Sequence, residues 1–143
     1  MSDKFNKGVY TITNTQKYIS KNPPLFRSSW ERSFMIYCDT NPNIVKWGSE
    51  CVVIPYYDPV KQIQRKYFMD FIVIDITGNT TLVEIKPYKQ TRPPTNSKKK
   101  KKNTFLYESA TYATNDAKWK SAKEFCNKRK WNFKIITEKD FKF

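Results

Sequence analysis

The sequence predicts a single mixed α/β domain, a mixed sheet of about four strands flanked by helices in the order α-β-β-β-α-β. Three observations carry this. The runs R-K-Y-F-M-D-F-I-V-I-D (65–75) and T-L-V-E-I-K-P (81–87) are dense in β-branched and aromatic residues and are separated by a Gly78-Asn79 turn. Two other stretches, 28–38 and 105–130, repeat apolar residues every three or four positions, as helices do. A chain of 143 residues with 38% hydrophobic and 16% aromatic content is one domain's length and has enough apolar matter for a core.

Residues 1–24 are polar, rich in Asn, Thr and Lys, and end in Asn22-Pro23-Pro24, which predicts an extended arm leading into a domain over 25–143. In F-R-S-S-W-E-R-S-F-M-I-Y-C-D, Ser28 or Ser29 caps a helix whose apolar stripe is Trp30, Phe34, Tyr37 and Cys38. After a turn at Asn41-Pro42-Asn43, the run I-V-K-W-G-S-E-C-V-V-I-P-Y-Y reads as one or two strands, broken near Gly48 and ending at Pro55. Asp58-Pro59 turns the chain into the strand carrying Asp70, and Gly78-Asn79 into the strand carrying Glu84, a meander of three strands after one helix. Phe105 to Lys130 is one helix or two divided near Asn115, with Trp119, Ala122, Phe125 and Cys126 as its apolar stripe. Trp131 to Ile136 is a last short strand, and Thr137 with Glu138 opens a capped terminal turn.

The charge is uneven. The formal net charge is +14; Lys and Arg number ten against eight acids in residues 1–85, and seventeen against five in 86–143. Such an excess favours a polyanion, nucleic acid before membrane, because no stretch pairs it with a strongly amphipathic basic helix. Its densest part, Lys98 to Lys102, is five like charges in a row behind Pro93 and Pro94, which predicts a mobile basic loop over 88–103. That loop is either a solubilising insertion or a sequence-independent phosphate contact.

No stretch has the length and apolarity of a membrane span or the pattern of a signal peptide. Cys38, Cys51 and Cys126 are odd in number and form no C-x-x-C pair, so they read as reduced, mostly buried thiols of an intracellular-type domain, with no structural zinc. The chain has no histidine, which removes Ser-His-Asp and Cys-His nucleophile systems and His-containing zinc sites together. Hydrolytic chemistry must then rest on carboxylates, lysine and metal.

Glu84 and Lys86 lie two apart on one strand, so they project from the same face roughly 6.5–7 Å apart while Ile85 turns into the core. If the preceding strand pairs alongside, Asp70 brings a second carboxylate to that patch. Two hard oxygen ligands suit a Mg2+ that keeps several waters and binds substrate phosphate, and Lys86 is placed to position or deprotonate an attacking water. An acid, an apolar residue and a lysine also occur together by chance. Here both acids interrupt strongly apolar runs, where an unpaired charge is costly. Glu31, early in its helix, is either a dipole partner or a chemical group.

With Met69-Asp70 followed by Glu84-Ile85-Lys86, the chain resembles the PD-(D/E)xK nuclease superfamily, whose restriction-endonuclease-like core has this element order. Met69 replaces the usual proline, which contributes no ligand. The ordered blocks S-S-W-E, F-M-I-Y-C-D, W-G-S-E, V-I-P-Y, Y-F-M-D-F, V-E-I-K-P, N-D-A-K-W-K-S-A and F-K-I-I-T-E, over about residues 25–140, look like the head completion nucleases of T4-like phages. They are also similar to the N-terminal endonuclease domain of Tn7-type transposases.

The resemblance implies a Mg2+-dependent deoxyribonuclease, Mn2+ substituting, that acts on double-stranded DNA as phage packaging finishes. It implies Asp70, Glu84 and the Ile85 carbonyl as metal ligands, Lys86 as the water-activating group and Glu31 as a third acid; Glu50 is a weaker candidate that can instead pair with a lysine. Lys89, Gln90 and Arg92 follow the motif, and with Lys98, Lys99, Lys100, Lys101, Lys102, Lys118 and Lys120 they form the expected DNA contacts. Tyr88, Tyr107 and Tyr112 remain open as core or rim aromatics. The implied setting is the host cytoplasm during phage assembly and the head or neck of the virion. Implied partners are the portal, neck or other head completion proteins, with no membrane. Two other readings stand beside this: a structural head or neck DNA-binding protein with a vestigial site, and a transposase-like or repair endonuclease.

Overall fold

A computed structural model of the chain describes residues 7–141. The first short strands, β1 (Gly8–Val9) and β2 (Leu25–Phe26), pair antiparallel and lead into helix α1 (Ser29–Thr40). Ser28, extended at φ −154°, caps α1 by accepting the Glu31 N–H at 3.2 Å, and Pro42 follows where the helix ends. Next come β3 (Ile44–Ser49), β4 (Val53–Asp58), β5 (Ile63–Phe68), β6 (Phe71–Asp75) and β7 (Thr80–Ile85). A 3-10 turn at Tyr88–Thr91, the long helix α2 (Lys102–Arg129) and β8 (Asn132–Ile136) complete the order.

Four strands make one mixed sheet in the order β3-β6-β7-β8, with β7 and β8 parallel and the other pairs antiparallel. Strand alternation sorts the core into two layers. Phe71 and Val83 face α1, where they pack with Phe34, Met35, Cys38 and Trp47. Ile72 and Leu82 face the other way, onto Trp119, Ala122 and Cys126 of α2 and onto Ile54, Tyr56 and Tyr67 of the β4–β5 hairpin. The expected α-β-β-β-α-β order is therefore present as α1, β3, β6, β7, α2 and β8, with a hairpin inserted after the first sheet strand.

That insertion corrects the expected meander. The run 65–75 is two strands in two sheets, divided at Met69-Asp70, and the run 44–57 is likewise divided at Glu50, which takes a left-handed φ of 53°. Pro55 does not end its strand. β4 pairs only with β5 among the described strands, so a residue without an N–H is tolerated at this edge. α2 is one helix with Asn115 buried in its middle, and it begins at Lys102, so the lysine run is partly helical. Cys38 and Cys126 are buried as expected, whereas Cys51 is exposed.

From residue 7 onward the N-terminal segment is pinned to the domain. Asp39, fully buried, accepts the Tyr10 hydroxyl at 2.6 Å and the Thr13 and Asn14 N–H groups at 2.8 and 2.9 Å. Burial alone would push this carboxyl up, but those donors outweigh it and hold it below the usual range. Tyr10, Ile12 and Tyr18 pack against the α1-side core.

Candidate active site

The register of β6 on β7 decides what the motif can do. Phe71 lies opposite Val83, so Asp70, one residue before β6, arrives beside Glu84 near the end of β7. The Asp70 Oδ2 accepts the Ile85 N–H at 2.8 Å, which fixes its carboxyl across the strand pair. Burial, and next the negative charge of the adjacent Glu84 carboxyl, hold Asp70 well above the ordinary carboxyl range; Glu31 adds to this from farther off. Two acids side by side, Glu84 buried and Asp70 half-buried, suit a bound cation.

Glu84 is 4% exposed and held from the far side. Its Oε2 accepts the Tyr67 hydroxyl from β5 and the Trp119 Nε1–H from α2 at 2.9 Å. Burial and then Glu84 raise the Tyr67 hydroxyl, so it remains a donor. The inserted hairpin and α2 thus aim the Glu84 carboxylate.

On the other side, a cleft of about 300 Å3 separates the start of α1 from the end of β7, and Arg27, Glu31, Ile85, Lys86 and Gln90 line it. Glu31 stands in the first turn of α1 and accepts the Ser28 hydroxyl at 3.3 Å. Burial raises its carboxyl against the lowering pull of Arg27. Lys86 follows β7 directly, its N–H donating to the Ile136 carbonyl at 3.0 Å, so β8 fixes its backbone. Lys118 reaches the same region from α2, its Nζ 5.4 Å from the Tyr67 ring centre. Burial, followed by the positive charge of Lys86, lowers its ammonium below the usual lysine range.

The structure thus brings Glu31, Asp70, Glu84, Lys86, Gln90 and Lys118 to one region. Glu50 pairs with Arg27 at 2.5 Å, an arginine where a lysine was expected, while its N–H donates to the Asp70 carbonyl at 3.1 Å. Among the expected DNA contacts, Lys100 turns inward. Its Nζ donates to the Thr95 carbonyl and pairs with Glu108 at 2.6 Å, and Lys89 lies 3.7 Å from the same carboxylate. Lys120 is exposed and pairs with Asp116 one turn earlier. Lys98, Lys99 and Lys101 stand at the surface before α2.

Sequence reasoning missed Tyr67 and Trp119 as holders of Glu84, and Arg27 as the cation beside Glu31 and Glu50. Trp119 carried a usable signal, because a buried indole N–H needs an acceptor.

Two comparisons bear on this site. Residues 41–138 match the family described as TnsA-like endonuclease N terminal. The chain is 38% identical over 138 residues to the head completion nuclease of Enterobacteria phage T4, an alignment covering 92% of this chain and 90% of that protein. No solved structure matches it.

Proposed function

The chain belongs to the TnsA-like endonuclease N-terminal family, and on that premise we propose that it hydrolyses DNA phosphodiester bonds with a divalent cation, Mg2+ or in its place Mn2+, at a site of the PD-(D/E)xK type. The observation that carries the reading is the half-buried Asp70 carboxyl brought beside the buried Glu84 carboxyl at the end of β7, directly before Lys86, which lines a cleft together with Glu31.

The residues fit such a cation. Among the described residues no three acidic or cysteine side chains converge closely enough to hold a metal by themselves. Asp70, Glu84 and the Ile85 carbonyl would hold it, with water and substrate phosphate completing its shell, as is usual for Mg2+. When bound, the cation stabilises the charge that builds on the phosphate as it is attacked. Lys86 Nζ holds the attacking water against the phosphorus, and Glu31 orients that water from the opposite wall of the cleft. The Tyr67 hydroxyl and Trp119 indole keep Glu84 from swinging away when DNA enters. Lys118 places a second ammonium over the same phosphate, while Lys98, Lys99, Lys101 and Lys102 supply salt-sensitive contacts to the flanking backbone.

The name of the T4 relative extends the reading to phage head completion: the protein acts on double-stranded DNA as packaging finishes, in the host cytoplasm and at the head or neck, with portal, neck or other head completion proteins as partners. The identity across nearly the whole chain supports the head-completion part of this reading; the location and the protein partners are our proposal beyond it.

Supercoiled and linear DNA incubated with the protein, with Mg2+, with Mn2+ and with chelator, test the chemistry. Cutting in either cation and none in chelator is the expected result, and nicking of circles marks endonuclease action. DNA bound with undiminished salt sensitivity but never cut, in any cation, would leave a structural DNA-gripping protein instead.

A further inference from the structure

A second, larger cavity adjoins the cleft. It measures about 370 Å3, within the range of about 300–1,000 Å3 common for small-molecule sites, and it lies between the segment after β7 and the first turns of α2. Gln90 lines both cavities, so whatever occupies the second lies next to whatever is cut in the first.

Three tyrosines line it, and only Tyr107 is exposed; Tyr88 and Tyr112 are half-buried. Tyr88 is covered by cations, Lys139 Nζ at 3.4 Å and the Arg92 guanidinium at 5.0 Å from its ring centre. Tyr112 packs edge-on to Trp119 at 6.4 Å. Tyr107 is 73% exposed and stacks on no other ring among the described residues. Pro93 and Pro94 form an apolar wall. Polar groups sit on the α2 side: Asn115, 5% exposed, and Glu108, whose carboxylate Lys100 and then Lys89 hold below the usual range. Arg92 lies over Tyr88 and forms no ion pair among the described residues.

This is a slot with one exposed tyrosine, hydrogen-bonding groups within, and beside it a guanidinium that lies over Tyr88 without an acidic partner among the described residues. A base still paired in a duplex cannot enter a cavity of this size, whereas an unpaired one can stack. We infer that the cavity receives one unpaired nucleobase of the DNA, stacked on Tyr107 with its phosphate on Arg92, beside the phosphodiester in the Lys86 cleft. The substrate class is then DNA with a single-stranded end at the cut. This rests on the nuclease reading of the neighbouring cleft.

The test is fluorescence anisotropy of two labelled DNAs in chelator, a blunt duplex and the same duplex with a short single-stranded overhang. The wild type should bind the overhang more tightly. Tyr107→Ala should weaken overhang binding about 5- to 100-fold, the range expected for one lost base stack, and leave the blunt duplex unchanged. Tyr107→Phe should restore the wild-type preference. No preference in the wild type, or a Tyr107→Ala change that is nil or equal for both DNAs, overturns the inference; a nil effect would leave this surface to a protein partner. Because binding in chelator involves no cutting, failure here is distinct from failure of the nuclease reading, which the plasmid assay decides.

Discussion

Asp70→Asn will abolish DNA cleavage and at the same time make the protein more stable at neutral pH. The loss should be at least about 10²–10³-fold, because on the proposed mechanism the substitution removes a charged ligand from the point where phosphate charge develops. The gain in stability has the same origin. Asp70 is half-buried beside Glu84 and its folded-state pKa is raised, so it costs nothing below the unfolded value of about 3.8 and destabilises progressively as pH climbs through the folded value. The amide removes that cost and keeps an oxygen for the Ile85 N–H. Thermal melts without divalent cation should therefore show equal stability for wild type and variant in acid, and a Tm higher by about 2–4 °C for the variant near neutrality. Adding Mg2+ should raise only the wild type. A variant that cuts DNA, or melts lower at neutral pH, would contradict this account of the pair.

Lys86→Ala should reduce cleavage about 10²–10⁴-fold, the range for loss of a group that positions or moves a proton in the transition state. The variant should keep its DNA affinity nearly intact, because many lysines share the backbone contacts. Lys86→Arg should recover little, since a planar guanidinium does not replace a compact ammonium in the cleft with Glu31 and Gln90. Single-turnover cleavage with saturating protein separates the two effects: a slower chemical step at unchanged binding is expected, and weakened binding at an unchanged step would make Lys86 a plain DNA contact.

What the sequence made legible follows from strand periodicity. Asp70 and Glu84 are acids inside apolar runs, and alternation predicts the inward turn of Ile85, which packs against the α1-side core. The division of 65–75 into two strands was hidden because neither glycine nor proline marks Met69-Asp70; what places the break is the chain reversal at Glu50 and the hairpin it starts, a long-range requirement. The inward fold of Lys100 was hidden for a similar reason. A run of like charges reads as solvated, and only the start of α2 at Lys102 brings Glu108 back over it. Tyr67 and Trp119 converge on Glu84 from 17 and 35 residues away, separations that no local pattern reports.

The most direct test of the site is Mn2+ binding, followed by electron paramagnetic resonance, to wild type, Asp70→Asn and Lys86→Ala with duplex DNA present. The account predicts Mn2+ held by wild type and Lys86→Ala and lost, or weakened at least about tenfold, in Asp70→Asn, because the proposed site makes Asp70 a ligand and Lys86 not. Equal binding by all three proteins, or none by the wild type, would contradict it.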